Sequence, residues 1–134
     1  MMNEHISSVM STKLYTVNIG DTLEAVHAIL STKRIHHIPV LDGKRLAGII
    51  TTHDLYKLNL PFAEYPKVKV TDIMTPKVAT LYPDDKVGSA AELFLENLFH
   101  AVPIVDADHN LIGIITTFDF IKYEHRKEYP NQNL

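Results

Sequence analysis

The stretch Gly48-Ile49-Ile50-Thr51-Thr52-His53-Asp54 returns later in the chain as Gly113-Ile114-Ile115-Thr116-Thr117-Phe118-Asp119. The echo extends outward from these seven positions. At a constant offset, Met10, Lys13, Thr16, Asp21, His36, Pro39 and Asp42 recur as Met74, Lys77, Thr80, Asp85, His100, Pro103 and Asp106. One extra residue enters the second copy between Ala107 and Asn110, after which Leu46, Gly48, Thr51 and Asp54 meet Leu111, Gly113, Thr116 and Asp119. A repeat of about 60 residues with one slip in a loop is a duplicated supersecondary unit, longer than the common solenoid periods. Duplication predicts pseudo-twofold symmetry, and a groove between two copies is a natural place for a ligand.

Each copy reads as strand, helix, strand, strand, helix. In the first, Leu23, Val26, His27 and Leu30 follow the i, i+3, i+4, i+7 spacing of an amphipathic helix, with Asp21 or Thr22 placed to cap it. Val87, Ala90, Ala91, Phe94 and Leu98 repeat the pattern behind Asp84-Asp85. Ile35 to Leu41 and Leu46 to Thr51 flank the turn signal Asp42-Gly43-Lys44-Arg45, which predicts a hairpin. Phe99 to Val105 and Leu111 to Thr116 predict a second one around Asp106 to Asn110. Each glycine strand then feeds a helix, Asp54 to Leu60 stopped by Pro61, and Asp119 to about Glu128 stopped near Pro130. A short helical lead-in is expected over His5 to Met10, and a polar tail from Tyr129. The expected organisation is a first repeat over 5–60, a linker over 61–67 that holds Pro61 and Pro66, and a second repeat over 68–128.

At 134 residues with 46% hydrophobic content, the chain has material for a packed core. A net charge of -3 argues against nucleic acid as a bulk electrostatic partner. The absence of cysteine excludes disulfides and thiolate metal sites and suits a reducing, cytoplasmic setting. No basic region followed by an apolar run opens the sequence, and no apolar run reaches bilayer length, so neither export nor a membrane partner is expected. There is no nucleophile-base-orienter set, no P-loop and no dinucleotide-binding glycine fingerprint, which argues against an enzyme. His36-His37 with His53 or His100 lacks metal-ligand spacing, so no metal site is expected. Glu124 to Glu128 is most simply a solvated helix face.

Thr-x-x-Asp at a strand-to-helix junction has two readings. The threonine and aspartate can cap the helix. The helix N-terminus, a hydroxyl and a carboxylate can equally serve phosphate and a ribose diol. Spacing alone leaves both open, and they can coexist.

Ile73-Met74-Thr75-Pro76-Lys77, Asp21-Thr22-Leu23-Glu24-Ala25, Ile38-Pro39-Val40-Leu41-Asp42 and the two Gly-Ile-Ile-Thr-Thr-x-Asp stretches closely resemble CBS (cystathionine β-synthase) domains. The resemblance covers about residues 5–58 and 68–124 and is that of a stand-alone tandem pair, a Bateman module. It implies an α+β fold: two βαββα repeats about a pseudo-twofold axis, sheets packed together, helices outside. It also implies an adenosine-containing ligand (AMP, ADP or ATP, with S-adenosylmethionine or NAD as further members of the class), with or without Mg²⁺, and no required cofactor. A homodimer through helix faces and a regulated partner protein follow from the same likeness.

The resemblance assigns site residues to two grooves, each drawing on both repeats. One combines Thr16, Ile35, His36 and His37 with Ile114, Thr116 and Asp119. The other combines Thr80, Phe99, His100 and Ala101 with Ile49, Thr51 and Asp54. Lys33 and Arg34, where the second copy has Asn97 and Leu98, make the first groove the better expected phosphate site. The expected function is regulation by an adenine nucleotide bound in the cleft between repeats. The rival readings are a ligand-free dimerisation scaffold, and a small hydrolase using the histidines.

Overall fold

Gly43, at φ +66°, reverses the chain between two apolar runs, a conformation that glycine adopts without the clash a Cβ would bring. In the computed structural model, which describes residues 2–97 and 100–130, that turn joins β2 (His37–Asp42) to β3 (Arg45–Thr51) in antiparallel register. The chain divides into two units, Tyr15–Val78, and Met1–Leu14 together with Ala79–Leu134. The fold is α+β, as expected from the repeats.

In Tyr15–Val78, β1 (Val17–Asn18) pairs parallel with β2, giving a three-stranded sheet in the order β1-β2-β3. The helix α1 (Leu23–Thr32) puts Leu23 and Val26 into a core with Val17, Ile38, Val40, Ile50, Tyr65 and Val70. Burying an aliphatic side chain of this size contributes about 1.5–3 kcal/mol, so this cluster supplies much of the unit's stability. Thr22 is the N-cap of α1, but its side chain makes no capping hydrogen bond among the described residues. The Asp21 carboxylate accepts instead from the Asn18 N–H at 2.8 Å, and the Val68 carbonyl takes the N–H of Leu23. α2 (Thr52–Leu58) starts earlier and ends earlier than Asp54 to Leu60, because Asn59 takes the left-handed conformation at φ 51° and closes it ahead of Pro61. The proline-bearing stretch after it is a 3-10 helix, Phe62–Lys67, whose Phe62 ring lies 4.3 Å from that of His27 on α1. A short α3 (Val70–Ile73) follows.

The other unit repeats this plan. α4 (Val87–Asn97) precedes β4 (Ala101–Val105) and β5 (Leu111–Thr116), an antiparallel pair, and α5 (Thr117–Glu128) closes it. Its core gathers Ile6, Ala90, Phe94, Val102, Ile104 and Ile115. The leading strand of this repeat is reduced to one bridge, Leu81 to Ile104. In the first copy the Ile19 N–H extends the ladder to the Leu41 carbonyl; the matching residue here is Pro83, which has no N–H to give. The extra residue of the second copy sits in a turn whose Asp106 carboxylate accepts from the N–H groups of Asp108 and Asn110, both at 2.9 Å.

The capping of α4 shows why the units are composed as they are. Glu4 offers its carbonyl to the Val87 N–H, and Ile6 donates to the Asp85 carbonyl. These match Val68 to Leu23 and Val70 to Asp21 in the first copy. The segment that starts each copy therefore serves a helix elsewhere in sequence. The lead-in, a 3-10 turn over Ile6–Ser8, belongs with the second hairpin, and 68–78 with the first. Tyr123 on α5 donates its hydroxyl to the Glu4 carboxylate, a bond that holds Glu4 below its ordinary pKa, while burial and Glu4 push Tyr123 up.

Candidate functional site

Both Thr-x-x-Asp motifs are complete capping boxes. At α2, the Asp54 N–H donates to Thr51 Oγ1 at 3.2 Å, and the Thr51 N–H donates to Asp54 Oδ2 at 2.9 Å. At α5 the corresponding distances are 3.1 and 3.0 Å for Asp119 and Thr116. The capping reading thus holds for both copies and leaves the ligand reading to whatever the carboxylates have to spare.

They have unequal amounts to spare. Asp54 is half-buried, and its Oδ1 receives no hydrogen bond among the described residues. Asp119 is buried, at 8% exposure. Its Oδ2 also accepts from the Thr116 hydroxyl at 3.1 Å, and its Oδ1 accepts from the Ser11 hydroxyl at 3.0 Å. Ser11 belongs to no motif of its own. The repeat offset that pairs Met10 with Met74 would have flagged it, since it pairs Ser11 with Thr75, two hydroxyl residues.

Each helix N-terminus is built from one repeat. The Thr52 N–H donates to the His36 carbonyl and the Thr117 N–H to the His100 carbonyl, both at 3.0 Å. His37 stands directly across from Thr51 in the β2–β3 register, and Ala101 across from Thr116. The next N–H groups, of His53 and Phe118, find no acceptor among the described residues and remain available to an anion. Inside one unit, then, His36, His37, Thr51 and Asp54 meet, and inside the other His100, Ala101, Thr116 and Asp119 meet. The crosswise grooves expected from the sequence draw on both units.

The remaining expected residues take supporting places. Ile49 and Ile114 are the strand residues that exchange two backbone hydrogen bonds with Thr75 and Ser11 respectively. Ile35 packs against the first core. Thr16 precedes β1 and Thr80 precedes the Leu81 bridge, both half-buried. Phe99 lies outside the described residues, as does Leu98. The His36 side chain is exposed, as are Lys33 and Arg34; the Lys33 ammonium sits 5.2 Å from the centre of the Tyr15 ring. Among the described residues no group of three or more His, Asp or Glu is placed to hold a metal ion, and no helix is long and apolar enough to cross a membrane.

A separate groove of about 650 Å³ runs along α5, away from its N-terminus, lined by Phe120, Ile121, Glu124, His125 and Tyr129 among others. His125 interrupts the solvated face expected over Glu124 to Glu128. It is half-buried, its Nδ1 is buried without a hydrogen-bond partner among the described residues, and its ring lies 5.0 Å from that of Tyr129.

The CBS domain family matches residues 6–60 and 70–126 of the chain. A homoserine O-acetyltransferase of Methanosarcina acetivorans is 33% identical over 115 residues, which are 84% of this chain and 20% of that enzyme. The chain spans less than half the length of the curated relatives it matches. Among solved structures, the CBS-pair protein CBSX2 of Arabidopsis thaliana is 25% identical, with a TM-score of 0.85 over 95% of this chain and 98% of that one. CBSX2 has also been solved in complex with AMP. The CBS domain pair of protein MJ0100, in complex with 5′-methylthioadenosine and S-adenosyl-L-methionine, is 26% identical, with a TM-score of 0.80 over 92% of this chain and 98% of that one.

Proposed function

The chain belongs to the CBS domain family, and from that premise we propose that it is a regulatory module whose signal is an adenosine-containing ligand. The observation that carries the reading is the half-engaged carboxylate of Asp54 at the start of α2, whose Oδ1 takes no hydrogen bond among the described residues. A vicinal diol presents two O–H donors to such a carboxylate. His36, whose carbonyl accepts from the Thr52 N–H at the start of α2, is exposed and adds donor character there. The AMP complex of CBSX2 and the adenosyl ligands of the MJ0100 pair support the same chemistry. Nothing in this reading asks the chain to make or break a covalent bond: a partner protein reads the state of the ligand site.

A thermal-shift panel of AMP, ADP, ATP, S-adenosylmethionine, 5′-methylthioadenosine and NAD, each with and without Mg²⁺, tests it. A ligand at 100 times its dissociation constant adds about 2.7 kcal/mol, a shift of several degrees. A shift confined to one or two adenosine ligands is the expected result. A flat response at millimolar concentration would favour the second reading, a ligand-free scaffold, which the complete capping boxes also suit.

Either reading involves a second copy of the chain. Phe118, Ile121 and Tyr129 on and just beyond α5 are 66%, 63% and 56% exposed. Apolar side chains gathered on helix faces in this way mark an interaction surface. Ile121→Asp places a charge in that surface and is expected to turn a dimer into a monomer in light scattering, with little change in melting. An unchanged mass would place any dimer contact elsewhere.

A further inference from the structure

Ser11 and Thr75 hold equivalent positions in the two copies. Ser11 exchanges backbone hydrogen bonds with Ile114, at 2.8 and 3.0 Å, and Thr75 with Ile49, at 2.9 and 3.0 Å. The residues before them, Met10 and Met74, lie over Gly113 and Gly48 in the same way. Only the side chains part company. The Ser11 hydroxyl donates to Asp119 Oδ1. Thr75 is exposed and gives nothing to Asp54, whose Oδ1 stays clear.

We propose that Ser11 is an internal latch on the carboxylate of the second copy. Its hydroxyl occupies the oxygen that one hydroxyl of a ribose diol would take. With two donors already on Oδ2 and Ser11 on Oδ1, a nucleoside ligand competes with Ser11 for a largely engaged carboxylate at Asp119, whereas Asp54 is ready as it stands. The inference rests on the nucleotide reading above and adds an order of loading to it, with Asp54 first and Asp119 second. It also supplies an output. Ser11 stands three residues before Leu14, where the chain leaves its unit, so release of its side chain is felt in the connecting backbone. The anchors further upstream are independent of Asp119: Ile6 is fully buried, and Glu4 carries the Val87 and Tyr123 hydrogen bonds. Displacement of Ser11 thus loosens 10–14 without undocking the whole lead-in.

Calorimetric titration with AMP tests the latch, in an Asp54→Asn background that isolates the second carboxylate. Ser11→Ala is expected to bind AMP about fivefold more tightly than the Ser11 parent, the equivalent of about 1 kcal/mol. Thr75→Ala in an Asp119→Asn background is expected to leave AMP affinity unchanged. Hydrogen exchange provides a readout that needs no variant. Amides of residues 10–14 are expected to exchange faster when the wild-type protein is saturated with AMP. Equal or weaker binding by Ser11→Ala, with Asp119 still required, overturns the latch and leaves the nucleotide reading standing. Absence of binding in the wild type and in every variant overturns both.

Discussion

Gly48→Ala is expected to lower the melting temperature by about 10 °C, and Gly113→Ala by about a third of that, as read by calorimetry. Neither glycine is needed for a left-handed backbone; both are needed for close approach. A Cβ on Gly48 would stand 2.6 Å from the carbonyl oxygen of Thr75 and 2.8 Å from Met74 Sδ. That carbonyl is held in place because it accepts from the Ile49 N–H at 3.0 Å, while the Thr75 N–H returns to Ile49 at 2.9 Å. The methyl group cannot be admitted without pushing the 74–75 segment off β3 and weakening both bonds. Overpacking of this kind costs about 1–3 kcal/mol, and each weakened hydrogen bond adds about 1 kcal/mol. At Gly113 the contacts are all with Met10, Sδ at 2.5 Å, Cγ at 3.1 Å and Cε at 3.2 Å. A methionine side chain is unbranched and can swing aside, so the loss there stays near 1 kcal/mol. Equal losses at the two positions would mean that the 74–75 segment shifts as freely as a side chain.

This contrast between the copies also separates what spacing in the sequence dictates from what only the folded backbone decides. The hairpins, the helices behind the glycine strands and the capping roles of Thr51, Asp54, Thr116 and Asp119 depend on spacings of a few residues, which a sequence displays directly. Spacing offers Asp21 or Thr22 as the cap of α1; Thr22 takes the position without a side-chain bond and Asp21 accepts from the Asn18 N–H, an outcome set by backbone path. The second leading strand is reduced to the Leu81 bridge because Pro83 stands where Ile19 donates in the first copy. What the repeat offset could not tell was which hairpin each lead-in segment serves. An offset fixes equivalence between Glu4 and Val68 but says nothing about which α-helix either one caps. The Ser11 bond to Asp119 depends on that association, since the two residues are far apart in sequence and joined only because the lead-in docks on β5. Without that docking, the two aspartates are interchangeable by spacing, and the family resemblance pairs the second with the more cationic groove.

The two aspartates are expected to separate cleanly when each is replaced by alanine. Asp54→Ala removes half of a capping box and should cost about 1 kcal/mol of stability. It also removes the carboxylate with an open oxygen, so AMP affinity should fall by about 10–100-fold, the worth of hydrogen bonds to a charged group. Asp119→Ala leaves three donors without their acceptor: the Thr116 N–H, the Thr116 hydroxyl and the Ser11 hydroxyl. Since Asp119 is buried, water reaches these groups poorly, and the stability loss should be about 3 kcal/mol. The fall in the tightest AMP affinity should be small by comparison, because that carboxylate is already committed to its own chain. Melting curves and calorimetric titration on the same two variants distinguish the cases. If Asp119→Ala instead destroys AMP binding while barely moving the melting temperature, then an oxygen held by Ser11 is no obstacle to the ligand. Affinity would in that case follow the position of the carboxylate and not its freedom, and Asp54 would revert to a helix cap with no further role.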